Sequence, residues 1–490
     1  MGTLTLFFAL IWTLIQEDKG PSGEHLSLYC AAGLQPPVEA AAREYEERYG
    51  VHIDITYGGS GTLLSNLKIA KSGDLYLPAD ESYSDQAQAE GLAREVFSLA
   101  SMRPVIGVAR GNPKGIETVS DLLNSELRLG LANPDAAAIG RAVRDALLES
   151  GDWESISQAA AVSKPTVMDL ANDLKLGTLD AAFIWDSTVE QYEELESVYL
   201  DELESSTKSV TLCVLESSAQ PTAALKFSRF LSARDAGLLH FKEKGYTPAD
   251  GDRWDEDPEL LLFSGGMLNA AIDDTIKAFE EREGLSVTRV YNGCGLLVSQ
   301  MNAGAAPDAY FSCDQSFLDM VSERFYPGTT VSSNRVVLLT KRGNPSELRG
   351  LADLCRPGLK VGLAHPSKSA LGALSANLLE ESGLTESFEA SGNLMLDSAT
   401  GDFLVNQMRT GSLDAVLVYR SNAAEVLEDL DLIELNLAGA LATQPFAVAR
   451  DSQYPRTLER LLMTLTESSS RSRFDSQGFG WELTAEEGSE

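Results

Sequence analysis

Val51, Ile53, Ile55 and Tyr57 alternate with polar residues, the period-two signature of a strand with one face in a core. Just upstream, Val38, Ala41, Ala42, Tyr45 and Tyr49 recur at helical spacing, with Arg43, Glu46 and Glu47 on the opposite face. The same pair returns later in the chain, as Ile272, Ile276 and Phe279 and then Leu285, Val287 and Tyr291. Val105–Ala109, Leu127–Ala132 and Ala181–Trp185 read as further strands, each with a counterpart downstream. Strands alternating with helices predict largely parallel sheets covered by helices.

The recurrence is collinear. Shifted by 234 positions, Leu26–Tyr29 falls on Leu260–Phe263, Glu46–Arg48 on Glu280–Arg282, Tyr57–Gly61 on Tyr291–Gly295 and Asp74 on Asp308. At an offset of 232, Arg110–Pro113 meets Arg342–Pro345 and Gly130–Ala132 meets Gly362–Ala364; at 234 again, Gly177–Ala181 meets Gly411–Ala415. A period this long means a duplicated domain rather than a solenoid. Between the copies, Thr247–Pro258 is rich in acid, Pro and Gly and reads as a linker. The division expected is a signal-like or anchor segment over 1–20, module one over 21–250, an acidic linker over 251–259, module two over 260–484 and an acidic tail over 485–490. Each copy is more easily built as two lobes than as one sheet. Chain crossings between lobes are expected near Ser101–Arg103 and Thr207–Leu212, and near Ser333–Arg335 and Ala442–Phe446.

Composition excludes several classes. Of 490 residues, 43% are hydrophobic and 23% charged, ordinary for a globular protein and unlike a disordered or polytopic membrane chain. The formal net charge of −34 argues against a basic nucleic-acid-binding surface. Thr3–Ile15 is apolar apart from threonine and shorter than the roughly 20 residues a membrane span needs. It suits the core of a secretory signal, although no Lys or Arg precedes it; export is expected, with a membrane tether through this segment as the alternative. The five cysteines, Cys30, Cys213, Cys294, Cys313 and Cys355, form no CxxC and read as mostly buried thiols rather than a disulfide framework. The four histidines have no metal-ligand spacing, so neither a metal site nor a cofactor is expected.

Four loops in each copy join a strand end to a helix start; in copy one they are Cys30–Leu34, Gly58–Thr62, Asn133–Gly140 and Trp185–Thr188. Ligands of open α/β sheets bind beyond such strand ends. The Gly58–Gly61 loop lets backbone approach a ligand closely, with Ser60 expected to cap a helix over Thr62–Ala70. Alone, that loop is equally a plain capped turn. Asn133–Gly140 also feeds a helix, Arg141–Glu149, and two helix N-termini on one cleft would make an anion pocket without Lys or Arg. Catalytic signatures are missing: Thr62 spoils a GxSxG, and no phosphate loop or GxGxxG opens a helix.

Leu28–Leu34 (LYCAAGL), Tyr57–Leu63 (YGGSGTL) and Gly73–Asp80 (GDLYLPAD), with Ile139-Gly140 and Leu179–Trp185 further on, resemble the molybdate-binding proteins of ABC importers. The resemblance extends over both copies. It implies two tandem modules of the type II periplasmic-binding-protein fold, each of two α/β lobes with a hinge and an interlobe cleft. It further implies an exported, non-enzymatic solute-binding protein that captures a tetrahedral oxyanion and serves an ABC permease.

The family's oxyanion contacts are two serine hydroxyls, backbone N–H groups near an Ala-Gly step and near a valine, and a tyrosine hydroxyl. Carried over, the first serine position is Gly33 in copy one and Met267 in copy two, and the second is Ser60 and Cys294. The Ala-Gly step becomes Ile139-Gly140 and Leu371-Gly372; the valine is Val167, with Gly401 roughly opposite; the tyrosine is Trp185 and Tyr419. Neither copy carries the full set. Cys30 and Ser264, in the first loops, stand as candidate replacements for the missing hydroxyls. Ser60 and Gly33 against Cys294 and Met267 make copy one the expected tighter site. The alternatives are a sensor or scaffold with one degenerate module, or a binder of sulfate or a small carboxylate. A deaminase of the porphobilinogen type would need a cofactor-bearing cysteine and an arginine-rich cleft, which the sequence lacks.

Overall fold

The computed structural model describes residues 25–424 and 426–481. Thr3–Ile15 lies outside them. The described chain divides into two compact units, at Trp254/Asp255.

In the first unit, one lobe carries a sheet in the order Thr247–Pro248, Ala93–Met102, Lys208–Leu215, Leu75–Leu77, His25–Ala31, His52–Gly58. The other carries Ala160–Lys164, Leu129–Ala132, Ala181–Trp185, Pro104–Ala109, Leu195–Val198. Helices cover both. The sheets are mixed rather than largely parallel. Three strands in each lobe run parallel, and the others join them antiparallel. The alternating strand–helix pattern accounts for the parallel trio alone. The strands that carry the chain between lobes enter in the opposite direction, and an antiparallel neighbour needs no crossover helix.

The chain leaves the first lobe at Arg103, between the strands Ala93–Met102 and Pro104–Ala109. Arg103 N–H donates to the Asp186 carboxylate at 3.1 Å and Asp186 N–H to the Arg103 carbonyl at 2.9 Å. The second unit makes the same crossing within one unbroken strand, Thr329–Lys341, which pairs with Leu441–Val448 in one lobe and with Ala415–Tyr419 and Leu430–Glu434 in the other. Proline at position 104, with no N–H and a fixed φ, breaks the strand where Val336 continues it. The return crossing follows Ser206 in the first unit and Ala440 in the second.

Several repeated motifs turn out to be structural. Asp74 accepts from Ser27 N–H and Oγ–H and from Ser218 Oγ–H; Asp308 accepts from Leu261 N–H and Ser452 Oγ–H. Each buried or half-buried carboxylate ties a strand start to the edge beside it. Asp180 holds Arg128 through its N–H, Nε–H and Nη2–H, and Asp414 holds Lys341 and Lys360. The Arg128 guanidinium lowers the Asp180 pKa to about 2. A carboxylate depressed in the folded state stabilises above its unfolded pKa and loses that contribution as pH falls through the folded one. Asp180→Asn is therefore expected to flatten the acid limb of the stability curve between roughly pH 4 and pH 2, read by chemical denaturation at each pH.

The stretch read as a linker is not a free tether at its start. Trp254 packs edge-on against Phe230 at 5.1 Å and its Nε1–H donates to Tyr49 Oη at 2.8 Å. It joins Tyr45, Phe227 and Phe230 in an aromatic cluster.

Candidate functional site

In the first unit the carboxyl ends of the parallel strands meet at a small cavity of about 20 Å³ between the two lobes. Gly33, Ser60 and Ala79 come to its wall from one lobe, and Ala138, Ile139, Val167 and Trp185 from the other. No lining residue carries a formal charge.

Three helices begin at this wall. The helix Ala138–Ser150 starts after Ala137 with no side-chain cap, so its first-turn N–H groups have no intrahelical partner. Thr166 caps the helix Val167–Lys175 through Asp169 N–H, which leaves the earlier amides. The helix Ser60–Ala70 starts one residue after Gly59, and Ser60 is its first residue rather than its cap. Ser60 Oγ instead accepts from Ala79 N–H at 3.1 Å, so its own proton is available to the cavity.

The glycine loop closes the lobes. Gly61 N–H donates to the Ala136 carbonyl across the cleft at 3.0 Å. A Cβ on Gly59 would stand 2.3 Å from that oxygen and 2.7 Å from the Pro165 oxygen, and one on Gly61 2.3 Å from the Asp135 oxygen. Gly59 has φ −73° and ψ 142°, open to any residue, so contact between lobes requires the glycine and backbone freedom does not. Arg141 adds a second latch, over the Tyr83 ring at 3.8 Å and donating to Ser82 Oγ at 3.2 Å.

In the second unit a small cavity of about 20 Å³ occupies the corresponding place, with Met267, Cys313, Ser369, Leu371, Gly401, Asp402 and Tyr419 on its wall. Gly293 repeats the role of Gly59, its Cβ position 2.5 Å from the Lys368 oxygen and 2.8 Å from the Ala399 oxygen. Tyr419 is 3% exposed, and its phenol has no hydrogen-bond partner among the described residues. Burial pushes its pKa well up, so it is a neutral O–H donor.

Cys294 departs from expectation. It forms a disulfide with Cys313, Cα–Cα 6.3 Å, and is not a thiol donor. Parallel pairing of Leu262–Ser264 with Ala309–Phe311 brings the two strand ends together, and the cysteines follow. A separation of 19 residues carries no such signal. In register, Cys294 and Cys313 overlie Ser60 and Ala79, the hydrogen-bonded pair of the first unit.

Cys30 and Ser264 are not on the cavity walls. Strand alternation turns both into the core, where Cys30 Sγ–H donates to the Ala31 carbonyl and Ser264 Oγ–H to the Gly265 carbonyl. Burial holds the Cys30 thiol protonated. Gly140 and Gly372 do not line the cavities either. A Cβ would lie 2.5 Å from the Ala132 oxygen at Gly140 and 2.4 Å from the His365 oxygen at Gly372, so these glycines seat the helix on the strand end behind it. The sequence reading passed over Thr166 and Asn422. The first had a signal, a threonine placed just before a periodic apolar run. Asn422, which accepts from Tyr419 N–H and donates to Asp402, had none.

Two lobes joined by two crossings, with helix N-termini converging on a small cavity between them, define a solute-binding protein of the type II periplasmic fold, here duplicated in tandem. The chain belongs to the bacterial extracellular solute-binding protein family, whose model matches residues 26–247 and again 260–480. The molybdate-binding protein ModA of Mycobacterium tuberculosis is 26% identical over 226 residues, 45% of this chain and 84% of that protein. Among solved structures, the periplasmic molybdate-binding protein of Azotobacter vinelandii matches with TM-score 0.40 and 18% identity, over 46% of this chain and all of the other. The sulfate-binding protein SubI of Mycobacterium tuberculosis matches with TM-score 0.39 and 15% identity, over 45% of this chain and 86% of the other. Among the described residues, no helix is long and apolar enough to cross a membrane.

Proposed function

We propose that this is an extracytoplasmic, non-enzymatic binding protein that captures a tetrahedral oxyanion of the molybdate or tungstate kind and presents it to an ABC permease. The N-terminal apolar segment would serve export or tethering. The observation that carries the reading is the uncharged, donor-lined cavity of the first module, held between lobes that touch. An anion taken out of water is stabilised by amide and hydroxyl hydrogens pointed at it, and donors held by rigid helices select by size. A ligand bridging both lobes favours the closed arrangement by its extra contacts there. The net charge of −34 is screened within about 8 Å at physiological salt and does not exclude a donor-lined anion cleft.

The ligand-binding set proposed for the first module is Ser60 Oγ, the amides of Ile139 and Val167, and the walls made by Gly33 and Trp185. The second has Leu371, Gly401 and Tyr419 but no equivalent of the Ser60 hydroxyl. The first is therefore the tighter oxyanion site. A thermal-shift screen of the full chain against molybdate, tungstate, sulfate, phosphate and small carboxylates should show the largest rise with molybdate or tungstate. No shift with any oxyanion would refute the reading. Ser60→Ala should weaken binding roughly tenfold by calorimetry, since a hydrogen bond to a charged group contributes about 1.5–3 kcal/mol.

A further inference from the structure

The cavity of the second module continues outward. It shares Gly266, Met267, Asp402 and Asn422 with an adjoining cleft of about 380 Å³ that reaches Asn406, Arg409 and Gln477. The lobes touch at Gly293, so the space is not a gaping hinge. Residue choice makes it. In register, Met168, Trp185 and Tyr192 of the first module become Asp402, Tyr419 and Val426, each smaller or more polar. Tyr246, after the left-handed Gly245, donates its hydroxyl to the Gly33 carbonyl and plugs the first module. Phe479, after the left-handed Gly478, packs on Phe474 instead.

We propose that the second module binds a larger ligand than the first: an organic anion whose charged head enters the inner cavity and whose hydroxyl-rich body fills the outer cleft. This rests on the reading of both modules as anion sites. The inner end has the fittings for a head group. The helices Ala370–Glu381 and Gly401–Arg409 both begin there without side-chain caps. The buried, unpartnered phenol of Tyr419 is on the same wall. The disulfide occupies the place of the Ser60 hydroxyl, which removes one donor that a bare tetrahedral ion would use. The outer end suits a body of roughly hexose size. The side chains of Asn406 and Gln477 offer donors and acceptors, Asp402 accepts hydroxyl protons, and Arg409 adds a cation 3.3 Å from Asp429.

The test is titration calorimetry on the full-length protein with tungstate, inorganic phosphate, glucose 6-phosphate and gluconate. Expected are one tungstate site per chain and, with tungstate saturating, one further site for glucose 6-phosphate or gluconate; the better of the two identifies the head group as phosphate or carboxylate. Val426→Tyr, which refills the cleft, and Arg409→Ala, at an exposed position, should each weaken the organic ligand at least tenfold and leave tungstate binding unchanged. Two tungstate sites per chain would overturn the inference, as would no organic-anion binding beside intact tungstate binding, and in both cases the oxyanion reading would stand. No binding of any of these anions would overturn that reading as well.

Discussion

One methyl group at Gly59 is expected to abolish useful anion capture by the first module. In Gly59→Ala the new carbon would stand 2.3 Å from the Ala136 oxygen and 2.7 Å from the Pro165 oxygen, both on the opposite lobe. Backbone atoms on either side cannot swing away as a long side chain can, so the lobes must part. Parting takes the Gly61 N–H bond to Ala136 with it. The apparent affinity of a site scales with the fraction of molecules in the competent arrangement. A closed state reduced to about one molecule in a hundred loses about 100-fold in affinity, or about 2.7 kcal/mol. The dihedrals of Gly59 accept alanine, so each lobe should fold as before. The measurement is the melting temperature of the first unit's transition with and without tungstate, with the second unit's transition as internal control. The unliganded transition should hardly move while the tungstate-induced rise disappears. A full tungstate shift in Gly59→Ala would mean that the ligand does not need the lobes in contact.

Opening the Cys294–Cys313 disulfide is expected to lower the stability of the second unit by about 3 kcal/mol, the chain entropy released when a loop of this length is no longer closed. The first unit has Cys30 and Cys213 as buried free thiols, with burial pushing Cys213 up to about 12, and should not respond. Scanning calorimetry with and without reductant should therefore move one transition and leave the other. The double variant Cys294→Ser with Cys313→Ala separates stability from binding. It loses the crosslink but recreates the first unit's arrangement, in which a hydroxyl accepts from the amide 19 residues on and turns its own proton into the cavity. It should melt lower than the parent and yet gain a tungstate site in the second module. No gain of tungstate binding there would remove the residue-60 hydroxyl from the donor set.

Duplication, the two-lobed α/β fold and the strand-end loops were all legible in the amino-acid sequence. They depend on features that repeat within short windows: period-two and period-3.6 patterns, glycines at strand ends, and 234-residue collinearity. The lobe crossings were legible for the same reason, since the apolar runs around Arg103 and Arg335 stay in register. Much of what surrounds each site was not. The disulfide, the interlobe contacts at Gly59 and Gly293, the inward turn of Cys30 and Ser264, and the open cleft beside Asp402 each depend on residues brought together from distant segments. Hydrophobic periodicity fixes which face of an element is buried and says nothing of which buried atom it meets. A glycine needed for a turn and a glycine needed because a carbonyl of the other lobe lies 2.3 Å from its missing Cβ are the same letter in sequence; packing alone tells them apart.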